Sequence, residues 1–180
     1  MDHVLPKKWT FWFVLFNHQS NKMSQYQIEE IASFDTFESF LDLYNSLPKI
    51  NEVKNVNNKR ASIGVFTQTE EGVNIKPMWE DPANANGGSF NFLVPDKIVN
   101  DVWHSLLLLV IGGTFQSKLD KDDQILGITI GPKKDDKYGI EIWNLNKNTN
   151  KVNEIKAFLK SIHSLKDSLK NTDIFYKAHK

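Results

Sequence analysis

The order in which apolar periodicities follow one another is the tightest constraint on how this chain folds. Residues 9–16 are dense in aromatic and branched side chains and predict a strand. Asp35-Thr36 precedes Phe37, Phe40, Leu41 and Tyr44 at helical spacing, Glu38 sits where early negative charge favours a helix, and Pro48 closes the segment. Residues 63–66 predict a short strand, and Phe90, Phe92 and Val94 alternate as in a half-buried one. Residues 98–111 carry apolar side chains at helical spacing and stop at Gly112-Gly113. Two more strands, 125–130 and 140–143, flank a turn rich in lysine and aspartate. Val152, Ile155, Phe158, Leu159, Ile162 and Leu165 mark one face of a third helix, and 174–176 predict a last strand. Strands and helices do not alternate strictly, and strand pairs follow one another through short or loop connections. A single, mainly antiparallel sheet backed by about three helices satisfies that order, an α+β fold. One domain over 1–180 is expected, with no internal repeat or boundary.

Composition narrows the classes of function. The 180 residues suffice for a real core. Lysine plus arginine balance aspartate plus glutamate at 22 each, whereas a protein that coats long nucleic acid through many phosphates is usually basic. The chain is therefore expected to hold a few phosphates locally. With no cysteine, disulfides and thiolate chemistry are excluded. The longest apolar run, residues 106–111, is far too short for a bilayer, and no secretory leader is expected at Met1-Asp2-His3.

Catalytic signatures are missing. Histidines 3, 18, 104, 163 and 179 have no metal-ligand spacing, and neither a Gly-x-Ser-x-Gly elbow nor a phosphate-binding glycine loop occurs. Asp122-Asp123 and Asp135-Asp136 read as solvated turns, as does Glu70-Glu71-Gly72; 17–22 is polar, and 51–60 reads as a mobile polar loop. No metal or cofactor is expected. The informative segment is Pro77-Met78-Trp79-Glu80-Asp81-Pro82, followed by Asn86-Gly87-Gly88-Ser89-Phe90. Core tryptophans usually sit on strands or helices, and this one lies in a polar, proline-flanked loop. An acid directly after it accepts hydrogen bonds beside the indole. Guanine presents N1–H and an exocyclic amine, two donors that fit a carboxylate bidentately. Unpaired bases are read by stacking plus edge hydrogen bonds, and a cationic base adds a cation–π attraction of about 0.5–2 kcal/mol.

Trp79-Glu80-Asp81 and Gly87-Gly88 stand in order with His3-Val4-Leu5, Trp9, Trp12, Phe34-Asp35-Thr36, residues 106–115, Ile142-Trp143 and Tyr176-Lys177-Ala178-His179. Over nearly the whole chain this resembles the eukaryotic translation initiation factor 4E family. The resemblance implies a curved sheet with helices on its convex back and the 7-methylguanosine cap of messenger RNA, or 7-methyl-GTP, in its concave face. It implies that Trp79 stacks on the methylated base, with Met78 beside it, that Glu80 pairs with the guanine edge, and that Trp143 touches the methyl group or else is a plain core residue at a strand end. The place of the second stacking tryptophan falls on Ser24. Tyr26, two residues on, takes that role or is an ordinary sheet or helix residue. One phosphate-binding arginine of the family corresponds to Ser89. A second corresponds to Lys133, with Lys134 and Lys137 as neighbours for the triphosphate or as a solvated hairpin tip.

On the convex face the resemblance implies a partner helix of the Tyr-x-x-x-x-Leu-hydrophobic type, from scaffold factor 4G or 4E-binding proteins. The matching positions are His3, Val4, Phe37, Leu41, His104, Ser105, Leu108 and Gly112. Val4, Leu41 and Ser105 replace a proline, a tryptophan and an acid of the family. A further loop beside the second nucleotide is not expected after His179-Lys180. The resulting expectation is a non-enzymatic, monomeric cap-binding initiation factor of the cytoplasm, with nuclear presence allowed. Two other readings stand beside it: a cap-binding repressor paralogue that fails to recruit the scaffold, and, more distantly, a metal-dependent nucleotide hydrolase using the paired aspartates.

Overall fold

A computed structural model of the chain describes residues 2–17 and 26–179. Ser24, His18 and most of the polar stretch at 17–22 lie outside the described residues. Seven strands form one curved antiparallel sheet: β1 (Val4–Asn17), β2 (Tyr26–Thr36), β3 (Lys59–Thr67), β4 (Gly88–Pro95), β5 (Ile125–Pro132), β6 (Lys137–Asn144) and β7 (Phe175–Ala178). Their spatial order is β2-β1-β3-β5-β6-β4-β7. Helices α1 (Phe37–Ser46), α2 (Asp96–Ile111) and α3 (Val152–Ser161), with the single turn α4 (Lys166–Leu169), contribute to the larger core.

Period-two alternation divides the strand side chains between two cores. Phe11, Val65, Phe90, Phe92, Ile128, Ile140 and Ile142 join Phe40, Trp103, Leu106, Leu107, Ile155 and Leu159 from the helices in the larger core. Trp12, Phe66, Ile75, Leu126 and Trp143 form a small second cluster. In β1 the change of allegiance falls between Phe11 and Trp12, where the pairing with β2 slips by a residue.

Tyr26 is expected from the sequence as a stacking ring or an ordinary sheet or helix residue, but strand β2 is not among the elements the sequence predicts. It is an edge strand, paired only to β1, and Gln27, Glu29, Glu30 and Ile31 are exposed. Its polar, weakly alternating sequence suits an edge that must resist further pairing. The expected third helix is interrupted. Apolar spacing runs on to Leu165, but α3 stops at Ser161, and the Leu165 and Lys166 amides both bond to the Ile162 carbonyl in a turn that leads into α4. Leu165 and Leu169 are buried all the same, so the periodicity reflects burial and not a continuous helix. The expected loop at 51–60 opens within a 3-10 turn at Ile50–Glu52, and its last two residues open β3.

Helix α1 starts where Asp35-Thr36 predicts. The Thr36 hydroxyl accepts the Ser39 amide at 3.1 Å, and the Ser39 hydroxyl accepts the Thr36 amide at 3.2 Å. Both donors would otherwise be orphaned at the first turn. Replacing Thr36 by alanine is expected to lower stability by about 1 kcal/mol. The check is a shifted urea midpoint at unchanged slope in unfolding followed by circular dichroism.

Candidate functional site

Opposite the helices, a cleft of about 650 Å³ opens on the sheet. Its walls come from Val14 and Phe16 of β1, the first residue of β2, the start of β3 and of β4, the second half of β5 through Lys133, alternate residues of β6, the 77–79 loop, and residues 177–179. Tyr26, Met78, Trp79, Lys133 and Trp143 all line it, five of the residues singled out in the sequence.

Residues 79–87 have no sheet ladder to satisfy their backbone, and side chains do so instead. Asn84 is fully buried. Its side-chain amide donates to the carbonyls of Lys76 at 2.9 Å and Met78 at 2.8 Å. Asp81 accepts the amides of Lys76 and Ala83, each at 3.0 Å. The loop closes against the sheet at Gly87, where a Cβ would overlap the Asn144 carbonyl oxygen, so only glycine fits. His179 locks the other side: its amide donates to Gly87 O at 2.9 Å, and its Nδ1 lies 2.7 Å from Asn84 O.

This frame holds the Trp79 indole 45% exposed at the cleft. Glu80, the next residue, is exposed and does not line the cleft, contrary to the simplest expectation for a base-pairing acid. It stands close enough to act on Tyr26 electrostatically. The Tyr26 phenol is held above its ordinary value first by burial and then by the Glu80 charge, with the Trp79 side chain opposing. Trp79, Glu80 and Tyr26 therefore form one neighbourhood. The Tyr26 ring also packs at 4.8 Å on Phe16.

Trp143 is 7% exposed, buried as a core residue and yet placed at the cleft. It sits edge-on to Phe66 at 5.3 Å in the small cluster, donates to Thr129 at 3.3 Å, and still lines the cleft beside the His179 ring at 4.6 Å. Lys133 reaches the cleft by lying over Gly139, where a Cβ would meet its side chain. Ser89 lines the cleft without charge. Lys137 is a correction: its side chain borders a separate groove with Leu93, Pro95 and Phe175. Asp123 corrects a second reading, because it is no solvated turn. It is 2% exposed and accepts from Gln124, Asn144 and Asn146 at 2.8–3.0 Å. Among the described residues no group of three His, Asp or Glu side chains is placed to hold a metal ion. Two cleft cations escaped the sequence reading. Arg60 was assigned to a loop, and Lys177 was noted only as part of a terminal motif.

On the opposite face, His3, Val4 and Phe37 gather where β1 meets α1. The Phe37 amide donates to His3 O at 2.8 Å, and the His3 ring pairs with Glu38 at 2.6 Å. That contact raises the His3 pKa and takes Glu38 down to about 2. Val4 is 79% exposed and Phe37 36%. Leu41 and Leu108 are half-buried against the core, His104 packs on Tyr44 at 5.2 Å, and Gly112 is exposed at the end of α2.

Because its pKa is raised, Tyr26 contributes stability that is complete below the unfolded value and is lost as pH rises through the folded one. Difference ultraviolet titration against Tyr26→Phe is expected to place its ionisation above that of free tyrosine. Glu80→Gln is expected to bring it only part of the way down, since burial remains.

The comparisons agree with this geometry. The family profile described as Eukaryotic initiation factor 4E matches residues 4–180. The chain is 30% identical over 175 residues to eukaryotic translation initiation factor 4E of Candida albicans, covering 93% of this chain and 77% of that one. It is 35% identical over 185 residues to initiation factor 4E1 of Drosophila melanogaster, covering 99% of this chain and 63% of that one. In fold it is similar to Ascaris suum eIF4E-3 solved with an m7G cap, at TM-score 0.76 and 24% identity, covering 100% and 93% of the two chains. Caenorhabditis elegans eIF4E-3, solved with the 4E-binding protein Mextli and a cap analog, superposes at TM-score 0.75 and 22% identity over 99% and 93%. The profile and both sequence relatives point the same way: the chain belongs to the eukaryotic initiation factor 4E family.

Proposed function

We propose that the protein acts in translation initiation in the cytoplasm by binding the 7-methylguanosine cap of messenger RNA, and that it acts by recognition, without catalysis. The observation that carries this is the exposed Trp79 indole standing beside the Tyr26 ring at a cleft that also holds cations. A methylated guanine is flat and positively charged, and it gains most from electron-rich faces. Tyr26 is our choice for the second ring. Its contribution is weaker than a tryptophan's, since the indole is the better partner for a cation. Glu80 lies next to both rings and is assigned the guanine edge, with N1–H and the exocyclic amine as donors to its two oxygens. Met78 and Trp143 complete the apolar wall, and Lys133 faces the phosphates.

Titration of intrinsic fluorescence is expected to show strong quenching by 7-methyl-GTP and much less by GTP. Trp79→Ala is expected to weaken 7-methyl-GTP binding by about 5- to 150-fold, the equivalent of 1–3 kcal/mol of stacking. Equal affinity for the two nucleotides, or full binding by Trp79→Ala, would overturn the assignment.

On the helix-bearing face we assign His3, Val4, Phe37, Leu41, His104, Leu108 and Gly112 to an amphipathic partner helix from scaffold factor 4G or a 4E-binding protein. Exposed Val4 and Phe37 offer it apolar contact. Leu41 is half-buried against the core and presents no large aromatic anchor, and such anchors dominate interface energies. A Tyr-x-x-x-x-Leu-hydrophobic peptide is expected to bind measurably by calorimetry and to lose about tenfold in affinity with Phe37→Ala. No binding at all would favour the repressor reading.

A further inference from the structure

We infer that Arg60, on β3, clamps the phosphate chain of the bound nucleotide, taking over the charge that Ser89 lacks; this rests on the cap-binding reading above. Arg60 is the chain's sole arginine. Its strand partner is Phe16, and Phe16 in turn pairs with Tyr26. Residues directly opposite one another in antiparallel strands share a face. On the other side β3 pairs with β5 in the register Ile63↔Ile130, which, carried three residues further, sets Arg60 opposite Lys133. Close approach of Gly131 to Ser62 and the Ala61 carbonyl supports that continuation. Tyr26, Phe16 and Arg60 thus make one row across three strands that continues to Lys133, the residue after β5, and all four line the cleft.

The row has a chemical direction. It begins at the ring beside Trp79 and ends on two adjacent cations, as a nucleotide begins with a base and ends in phosphates. Arg60 is exposed, and among the described residues its side chain has neither ion pair nor hydrogen bond. The same holds for Lys133 and Lys177. Three unpaired cations around one cleft, with Glu141 the one carboxylate among its lining residues, make a local positive field in a chain of zero net charge. Of the three, only Arg60 offers the planar fork that grips two phosphate oxygens at once.

The test compares 7-methylguanosine, 7-methyl-GMP and 7-methyl-GTP on the full chain and on Arg60→Ala and Arg60→Lys. Arg60→Ala is expected to weaken 7-methyl-GTP by about tenfold or more, to leave the phosphate-free nucleoside unchanged, and to flatten the salt dependence of triphosphate binding. Arg60→Lys is expected to recover only part of the loss, since it restores charge without the fork. If Arg60→Ala binds 7-methyl-GTP as the unsubstituted chain does, the inference fails while the cap-binding reading stands. Equal losses for nucleoside and triphosphate also overturn it, because they mark a structural or base contact. If the unsubstituted chain binds none of the three ligands, the cap-binding reading itself falls, and this inference with it.

Discussion

Each strand of the sheet serves two faces at once, and that two-residue alternation is the constraint on which the rest depends. Phe11 belongs to the helix-side core, and Trp12, one residue later, to the small second cluster that includes the cleft residue Trp143. In β6, Ile140 and Ile142 are core residues, while Gly139, Glu141 and Trp143 line the cleft. A one-residue slip of either strand would exchange the two sets, exposing isoleucines and burying a carboxylate. The helices that bury the larger core therefore hold the register that aims the cleft residues.

The second requirement is a loop that stays in place without a ladder. Asn84, Asp81, Gly87 and His179 replace the missing backbone pairing, so the 79–87 segment is held largely by polar contacts, with the Asn84 side chain fully buried among them. Such groups are costly to leave unpaired, which favours one arrangement over many. Trp79 is left free of the core because the loop does not need it there. Asp123 does similar work under the neighbouring 144–146 turn, where it accepts from Asn144 and Asn146.

Charge is arranged on the same principle. The chain as a whole is neutral, yet Arg60 of β3, Lys133 just after β5 and Lys177 of β7 converge on the cleft. The field that matters to a phosphate is set within a Debye length of about 10 Å, so net charge says little about it. Gly139 contributes by leaving room for the Lys133 side chain to lie along the sheet.

By itself the sequence determined the elements whose signals are local: α1 with its Thr36 cap, α2 ending before Gly112-Gly113, the β5–β6 pair, and the irregular loop that carries Trp79. Those rest on periodicity, capping and turn chemistry, each confined to a few neighbouring residues. Strand β2 was hidden because an edge strand with one partner and much exposed surface needs little apolar alternation, so the stretch with Gln27, Glu29 and Glu30 carried no strand signal. The break after Ser161 was hidden because burial kept the apolar spacing intact through the turn. Only the tertiary structure decided which cations share the cleft, turning Lys137 away and bringing Arg60 in from an apparent loop. Cross-strand register sets such neighbours, and register joins residues far apart in the chain, where no local pattern records it.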